Sequence, residues 1–319
     1  MTDYDVFNGD ADGLCALTQL RNAEPRDAVL VTGVKRDIEL LEQVQAGPGA
    51  RVTVLDISME KNQAALQRVL GQGAEVFYCD HHFAGDMPEH PRLRALVNTA
   101  PDVCTSLLVN GHLGGAFPGW AVVGTFGDNL RDSAHRIARS LNLDEPDLER
   151  LENLGIYINY NGYGSRLEDL HFAPEALYRL ISQYADPFDF MRDGREHFER
   201  LETGYRQDMA AAAALEPEYR DAAAAVFMLP DESWARRVSG VYSNDLANAD
   251  PDRAHAVLTI KPSGTYLVSV RAPLNNKTGA DELCRQFPTG GGRKAAAGIN
   301  DLPAGMLEAF IDKLAAFYA

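Results

Sequence analysis

The feature that most limits the fold is an alternation of short β-rich runs and helical patterns over the first 130 residues. The β-rich runs are "YDVF", "AVLVTG", "RVTVLDIS" and "EVFYCDHH". Helical patterns separate them, over "GLCALTQLRNA", "RDIELLEQVQ" and "EKNQAALQRVLGQG". This alternation is typical of parallel strands, because each return to the sheet needs a crossover helix. We therefore predict an α/β fold with a parallel sheet flanked by helices.

A second, smaller α/β pattern begins at about Ala222. Before it, the chain is mainly helical from Thr105 and becomes polar and alanine-rich from about residue 190. The predicted organisation is a first domain at 1–190, a helical linker at 191–221 and a second domain at 222–319. The second domain is expected to end in a helix over "GMLEAFIDKLAAFY".

The charge distribution limits the kind of partner. The net charge is −16, yet residues 222–319 hold ten basic and ten acidic side chains, so the whole deficit lies in residues 1–221. Proteins that track long DNA or RNA displace counterions with a basic stripe, and this chain shows no such excess. If the protein acts on nucleic acid, short fragments or nucleotides are therefore expected in preference to long strands.

The compartment is expected to be the cytoplasm. The start of the chain lacks a basic region followed by an apolar run, and no window approaches eighteen uncharged apolar residues, so no membrane association is expected. The four cysteines show no CxxC spacing and are expected to be reduced and buried. The sequence does not determine the oligomeric state, which could be a monomer or a homodimer.

The stretch "NGDADG" allows three interpretations. Asn8, Asp10, Asp12 and Gly13 match the start of an EF-hand loop, but Gln19 stands where the bidentate glutamate belongs. A turn with a helix N-cap is the plainer alternative. The third interpretation is one corner of a metal site.

Acidic and histidine side chains follow several predicted strands. They are Asp10, Asp12, Asp56, Asp80, His81 and His82, and Asp128 arrives from a later helical or loop segment. Ligands of parallel sheets bind beyond the carboxyl ends of the strands, where these residues would meet. Buried carboxylates need neutralising cations, and carboxylates with imidazole suit manganese, iron, zinc or magnesium. The cluster is rich enough to hold two ions.

In this order, "NGDADG", "LDIS", "CDHH" and "GTFGDN" resemble the four motifs of the DHH phosphoesterases. "GGGRKAAAG" is similar to the signature of the DHH-associated C-terminal domain. The resemblance covers roughly residues 1–130 and 225–300. It implies a metal-dependent hydrolase with two divalent ions, for which manganese is expected.

The resemblance also implies roles for the residues of the first domain. Asp10 would bind one metal and Asp12 the other, Asp56 would bridge both, and His81 and Asp128 would complete the second site. Asp80 would orient its neighbours, and His82 would act on the scissile phosphate as an electrostatic or acid/base group. Many members have histidine just before the first aspartate, where this chain has Asn8, a weaker candidate ligand.

In the second domain the resemblance implies a phosphate-binding set. Arg271 ends the strand "VSVR", and Gly290, Gly291, Gly292 and Arg293 form the glycine-rich run. Backbone N–H groups of such a run can approach an anion, with a helix possible over "KAAAG"; a tight turn is the structural alternative. The family commonly has histidine at the position of Arg293. The stretch "INYNGYGS" is expected to be a solvent-facing loop, with a base-stacking pocket as the alternative.

The leading hypothesis is a phosphodiesterase that releases mononucleotides from short linear oligonucleotides, including dinucleotides. Within the family the alternatives are a phosphoadenosine phosphate phosphatase, a cyclic-dinucleotide phosphodiesterase and a RecJ-like exonuclease. From a different class, a catalytically silent nucleotide-binding sensor would keep the fold without turnover.

Overall fold

The structure, a computed structural model, describes residues 2–319. The chain forms two compact units, Met1–Thr203 and Gly204–Ala319. The boundary lies inside one helix, α9 (Arg195–Ala213), so most of the segment predicted as a linker is helical. Among the described residues, none of the helices combines the length and apolar character that a membrane span needs.

The first unit contains the predicted parallel sheet, which the structure confirms. Its strands are β1 (Tyr4–Phe7), β2 (Val29–Val31), β3 (Arg51–Leu55), β4 (Glu75–Asp80) and β5 (Leu93–Val97). They are ordered β2-β1-β3-β4-β5, and every neighbouring pair is parallel. Strand β2 pairs with one edge of β1, and β3 pairs with the opposite edge of β1. This placement opens a crevice beyond the carboxyl ends of β1 and β3.

The sheet carries one strand that the sequence pattern missed, β5. Its run "LRALV" includes an arginine, and all five residues are half-buried or exposed because the strand lies at the sheet edge. An edge strand lacks the continuous apolar run that marks a buried parallel strand.

Helices flank this sheet, as predicted. They are α1 (Ala11–Ala23), α2 (Gln63–Gly71), α3 (Thr105–His112), α4 (Pro118–Gly127), α5 (Arg131–Ala138), α6 (Glu145–Asn161), α7 (Pro174–Ile181), α8 (Pro187–Asp193) and the first part of α9. Val6, Val54 and Tyr78 of the sheet form a fully buried cluster with Leu66 and Val69 of α2. Each such aliphatic side chain contributes about 1.5 to 3 kcal/mol when fully buried.

The helix predicted over "RDIELLEQVQ" is wrong. Only a short 3-10 helix, Leu40–Gln43, forms there. Asn62 explains the difference, because its side chain accepts a hydrogen bond from the Leu41 N–H (3.2 Å) and donates one to the Ile38 carbonyl (2.7 Å). These bonds occupy backbone groups that a continuous α-helix would need.

Glycines of α4 allow close helix packing. A Cβ atom at Gly127 would lie 2.3 Å from the Cβ of Ala11 in α1, and one at Gly124 would lie 2.2 Å from the Oγ of Ser106 in α3. Real side-chain carbons do not approach so closely, so only glycine permits these contacts. Because α4 ends at Gly127, this packing also fixes the position of Asp128.

The second unit is the predicted smaller α/β domain, which the structure confirms. Its strands are β6 (Tyr219–Arg220), β7 (Ala224–Leu229), β8 (Ala254–Ile260), β9 (Tyr266–Arg271), β10 (Gly290–Gly292) and β11 (Ala296–Leu302). They are ordered β10-β11-β9-β8-β7-β6, and only β7 and β8 pair in parallel. The helices are α10 (Ser233–Ala249), α11 (Ala280–Cys284) and α12 (Leu307–Tyr318).

The glycine-rich run forms a strand and a tight turn. Gly290–Gly292 pairs antiparallel with β11, so the alternative of a helix over "KAAAG" is wrong. A Cβ atom at Gly290 would lie 1.8 Å from the Cys284 carbonyl oxygen. Gly292 has a φ of 141°, which side-chain-bearing residues rarely adopt. The fold itself therefore requires glycine at both positions.

Candidate metal centre

Asp10 and Asp12 lie where β1 passes into α1. Asp10 is the N-cap of α1, and its carboxylate accepts a hydrogen bond from the Gly13 N–H (3.1 Å). The N-cap interpretation of "NGDADG" is therefore correct for Asp10. The segment leads from a strand into a helix, which is not the helix–loop–helix context of a calcium loop.

The carboxylate of Asp12 is held by the beginning of α3. Its two oxygens accept hydrogen bonds from the backbone N–H groups of Thr105 (2.7 Å) and Ser106 (2.6 Å), and the Ser106 hydroxyl donates to the Asp12 carbonyl (2.9 Å). The N-terminus of a helix carries partial positive charge and favours an ionised carboxylate. Asp12 is thus fixed in position although it is almost fully buried.

Asp56 follows β3 in a strained backbone conformation. Its φ is 59°, and its N–H donates to the Cys79 carbonyl of β4 (3.1 Å). Positive φ in a residue other than glycine often marks a functional site. Burial, followed by the nearby carboxylates of Asp10 and Asp12, raises the pKa of Asp56 well above its ordinary value.

His81 presents its Nε2 atom to three carboxylates. Its Nδ1 lies 3.0 Å from the Val103 carbonyl, which can only accept, so Nδ1 carries the proton of the neutral ring and Nε2 keeps its lone pair. Nε2 lies 3.4 Å from Asp56 Oδ1, 3.8 Å from Asp128 Oδ2 and 4.0 Å from Asp12 Oδ2. These are the distances between acceptor atoms that share one cation bound at about 2.1 Å.

Asp128 closes the cluster from the end of α4. Its N–H donates to the Gly124 carbonyl (3.0 Å), and its side chain is 23% exposed. Burial and the charge of Asp12 raise the pKa of Asp128 to about 6. Asp12, His81 and Asp128 place ligand atoms within 4.8 Å of one another, so two carboxylates and an imidazole nitrogen fit a divalent metal ion, which would relieve the mutual repulsion of the carboxylates.

Asp80 and His82 form a hydrogen-bonded pair beside this cluster. Asp80 Oδ1 accepts from the His81 N–H and binds His82 Nδ1, both at 2.8 Å. Asp80 Oδ2 is buried and has no hydrogen-bond partner among residues 2–319. Burial alone would lower the pKa of His82, but the hydrogen bond and charge of Asp80 raise it. The His82 side chain remains 40% exposed, so a substrate can reach it.

Sequence reasoning missed Lys35. Its ammonium forms an ion pair with Asp10 Oδ2 and donates to Asn159 Oδ1 (2.9 Å). Burial alone would raise the pKa of Asp10, but the charge and hydrogen bond of Lys35 outweigh it and lower that pKa. Lys35 lies after β2, so the strand-end argument applied to "AVLVTG" would have found it.

The candidate ligand Asn8 is bonded to backbone at both ends of its amide. Its Oδ1 accepts from the Asp10 N–H (3.2 Å), and its Nδ2 donates to the Lys35 carbonyl (3.3 Å). Asn8 therefore holds the backbone of Asp10 and of Lys35, the two residues that form the ion pair.

The prediction of a solvent-facing loop over "INYNGYGS" is wrong for its first half. Helix α6 continues to Asn161, and Ile158 and Tyr160 are fully buried. Asn161 bonds the backbone of Phe172 through both ends of its amide, at 2.8 and 3.0 Å. These hydrogen bonds satisfy the polar side chain of Asn161 within the helix. The same helix positions Asn159 to accept a hydrogen bond from Lys35.

The candidate phosphate-binding residues of the second unit lie on and after β9 and β10, the two strands on either side of β11. Arg271 ends β9 and is in register with Ala296 of β11, which pairs with β10. Arg271 donates to Asn244 Oδ1 (2.7 Å) and Ser269 Oγ (3.0 Å). Arg293 lies in the turn after β10, where its N–H donates to the Ala296 carbonyl (2.9 Å). The phosphate-binding role of this set stays a prediction.

Comparison with solved structures confirms the fold. The exonuclease RecJ bound to manganese superposes with a TM-score of 0.64 at 19% identity, covering 99% of this chain and 90% of RecJ. The DHH domain of a member of a ribosomal-protein family gives 0.65 at 13% identity, with 99% and 86% covered. The pGpG-specific phosphodiesterase PggH of Vibrio cholerae gives 0.57 at 15% identity, with 99% of both chains covered. No protein-family model and no curated protein matches the sequence.

Proposed function

We propose that this chain, which has the fold of the DHH proteins, is a divalent-metal-dependent phosphodiesterase. Its proposed substrates are short linear oligonucleotides, including dinucleotides, and its products mononucleotides. The observation that carries the proposal is the convergence of Asp12, Asp56 and Asp128 on Nε2 of His81. Such a set binds a metal ion in preference to a proton or a neutral ligand.

The ion would be held by Asp12, His81 and Asp128, with Asp56 Oδ1 3.4 Å from the same His81 nitrogen, and we propose manganese. When bound, it would supply Lewis acidity toward a phosphoryl oxygen and lower the pKa of a bound water. The RecJ neighbours were determined with manganese or magnesium, which supports a divalent ion in a protein of this fold.

The residues of the chain hold this arrangement rigid before substrate arrives. The start of α3 fixes Asp12, and the Val103 carbonyl fixes the tautomer of His81. Asp80 orients His82 and favours its protonated form, so the exposed ring can stabilise phosphate charge or donate a proton to the leaving oxygen.

A short substrate is supported by the charge distribution. The unit that carries the cluster lies within the part of the chain that holds the whole negative excess, which opposes binding along many phosphates. Among the structural neighbours, PggH is specific for the dinucleotide pGpG and matches this chain over its full length. In the second unit, Arg271 and the turn at Arg293 are the proposed contacts for a terminal phosphate.

The four cysteines are buried and unpaired. This supports a reducing compartment, and we propose the cytoplasm.

The experiment is a time course with manganese and end-labelled RNA oligomers of two to about twenty nucleotides. Rapid cleavage confined to the shortest oligomers is the expected result. Equal or faster cleavage of the longest would contradict the substrate class and favour a RecJ-like exonuclease. Absence of cleavage at every length would contradict the proposed diesterase and leave nucleotide phosphatase and sensor functions to be assayed.

A further inference from the structure

The positive charge beside Asp10 is already supplied by the protein. The Lys35 ammonium pairs with Asp10 Oδ2, while Asp10 Oδ1 accepts from the Gly13 N–H. The ammonium also acts electrostatically on Asp128 of the same acidic cluster. A metal ion bound to Asp10 would meet this charge at close range, and the two cations would repel each other.

Lys35 is held along its whole length. Its N–H donates to the Gly162 carbonyl (2.9 Å), and its own carbonyl accepts from Asn8. At the far end, the ammonium donates to Asn159 Oδ1 (2.9 Å) and lies 5.3 Å from the centre of the Tyr163 ring. Because both the backbone and the ammonium of Lys35 are held, the ammonium has a fixed position, unlike that of an exposed surface ion pair.

Asp10 belongs to neither group of potential metal ligands, although its side chain hydrogen-bonds with Asp56. Among the described residues, two groups of side chains are spaced to hold an ion: Asp56 with His81 and His82, and Asp12 with His81 and Asp128. Both groups share His81, and neither includes Asp10.

We propose that Lys35 permanently takes the place of one of the two metal ions, so that the centre binds a single divalent ion. This inference rests on the proposed function, because it treats the cluster around His81 as the metal centre. The sequence predicts two ions, with Asp10 as a ligand of the first. In the folded chain Asp10 is instead a positioning residue that holds the ammonium.

The decisive measurement is the number of manganese ions bound per chain. The purified full-length protein, stripped of metal, is titrated with manganese by calorimetry, and the bound ions are counted by elemental analysis after dialysis. Electron paramagnetic resonance adds a second readout, because two manganese ions bridged by a carboxylate give an exchange-coupled spectrum. Wild type is expected to bind one uncoupled ion.

Three variants test the role of Lys35. Lys35→Ala frees Asp10 and is expected to bind two ions with a coupled spectrum. The control Lys61→Ala removes an exposed lysine whose ion pair is with neighbouring Glu60, and it should bind one. The double variant Asp10→Asn with Lys35→Met removes both charges together, which protects folding, and should bind one ion with affinity within about threefold of wild type.

The outcomes separate the inference from the proposed function. Two coupled ions in wild type, or a single ion in folded Lys35→Ala, would overturn the inference while leaving the proposed function intact. If Lys35→Ala does not fold, a more than tenfold loss of manganese affinity in the double variant would overturn it, because Asp10 would then be a ligand. Absence of manganese binding in wild type would instead contradict the proposed function itself.

Discussion

His81 and His82 are adjacent in sequence, but different partners fix their protons. The Val103 carbonyl keeps the proton of His81 on Nδ1, which leaves Nε2 facing the carboxylates. Asp80 binds Nδ1 of His82 and favours the charged ring. One residue of the pair is thereby suited to bind a metal, and the other to stabilise negative charge or donate a proton.

Asp80→Asn should lower the pKa of His82, since the carboxylate that raises it is replaced by a neutral amide. Histidine NMR titration of the metal-free protein measures this directly. In the enzyme assay, the decline of activity at alkaline pH should move to lower pH, and kcat at neutral pH should fall by about tenfold or more. An unchanged pKa of His82 would contradict the role given to Asp80.

Arg36 follows Lys35 and is exposed, and its side chain forms no hydrogen bond or ion pair within residues 2–319. A guanidinium without a protein partner among the described residues, one residue after Lys35, is suited to a substrate phosphate. Arg36→Ala should raise KM about tenfold with less than about threefold change in kcat, as expected for the loss of one charge-assisted contact. Steady-state kinetics with a dinucleotide checks this. The control Arg92→Ala, at the amino end of β5, should leave KM unchanged.

At the scale of helices and strands, the sequence predicted which side chains would meet, because parallel sheets place strand ends together. Asp12, Asp56 and His81 follow β1, β3 and β4, and the fold brings them within a few ångströms. Asp128 could be placed only by its motif, since its position depends on how α4 packs on α1. That packing involves residues distant in sequence, which a local pattern does not reveal.

The errors at this scale have a common cause. Asn62 and Asn161 each form hydrogen bonds with backbone groups of another segment of the chain. In both places these bonds outweigh the secondary-structure propensity of the local sequence. The first suppresses the helix predicted after β2, and the second keeps polar residues within α6. Asparagine is ordinarily a turn former, so its sequence signal points away from such roles.

Gly127→Ala should destabilise the fold by about 1 to 3 kcal/mol, because the added methyl group would press on Ala11 and force α1 and α4 apart. Thermal or urea unfolding measures the change. Gly111→Ala is a matched control, since Gly111 lies in α3 with open space around its Cβ position. That substitution should raise the free energy of unfolding by about 0.5 to 1 kcal/mol, because alanine has a higher helix propensity than glycine. Equal stability of the two variants would contradict the packing argument.

At the scale of the whole molecule, we expect stability to be coupled to pH and to the binding of the proposed metal ion. The pKa of Asp128 is about 6 in the fold, above its ordinary value, so its protonated form stabilises the metal-free protein at low pH. This contribution is lost as the pH rises through 6, where the carboxylates repel one another. A divalent ion needs those carboxylates ionised, so its binding strengthens over the same range.

Manganese should therefore raise the melting temperature more at pH 7.5 than at pH 5.0. Differential scanning fluorimetry at matched ionic strength measures both shifts, with metal-free buffer as the reference condition. The variant Asp128→Asn, which cannot titrate at this position, should show a smaller manganese effect and a weaker pH dependence. A larger stabilisation at pH 5.0 than at pH 7.5 would contradict the coupling.

The most direct test of the account is manganese-dependent hydrolysis of bis(p-nitrophenyl) phosphate, a diester without a base or a terminal phosphate. Wild type should turn it over only with a divalent ion present. Asp12→Asn and His81→Ala should lose at least about a hundredfold in rate while remaining folded, because both alter the proposed metal ligands. Asp27→Asn, an exposed control, should match wild type. Absence of turnover in wild type, or full activity in folded Asp12→Asn, would contradict the claim that this cluster is a phosphoester-cleaving metal centre.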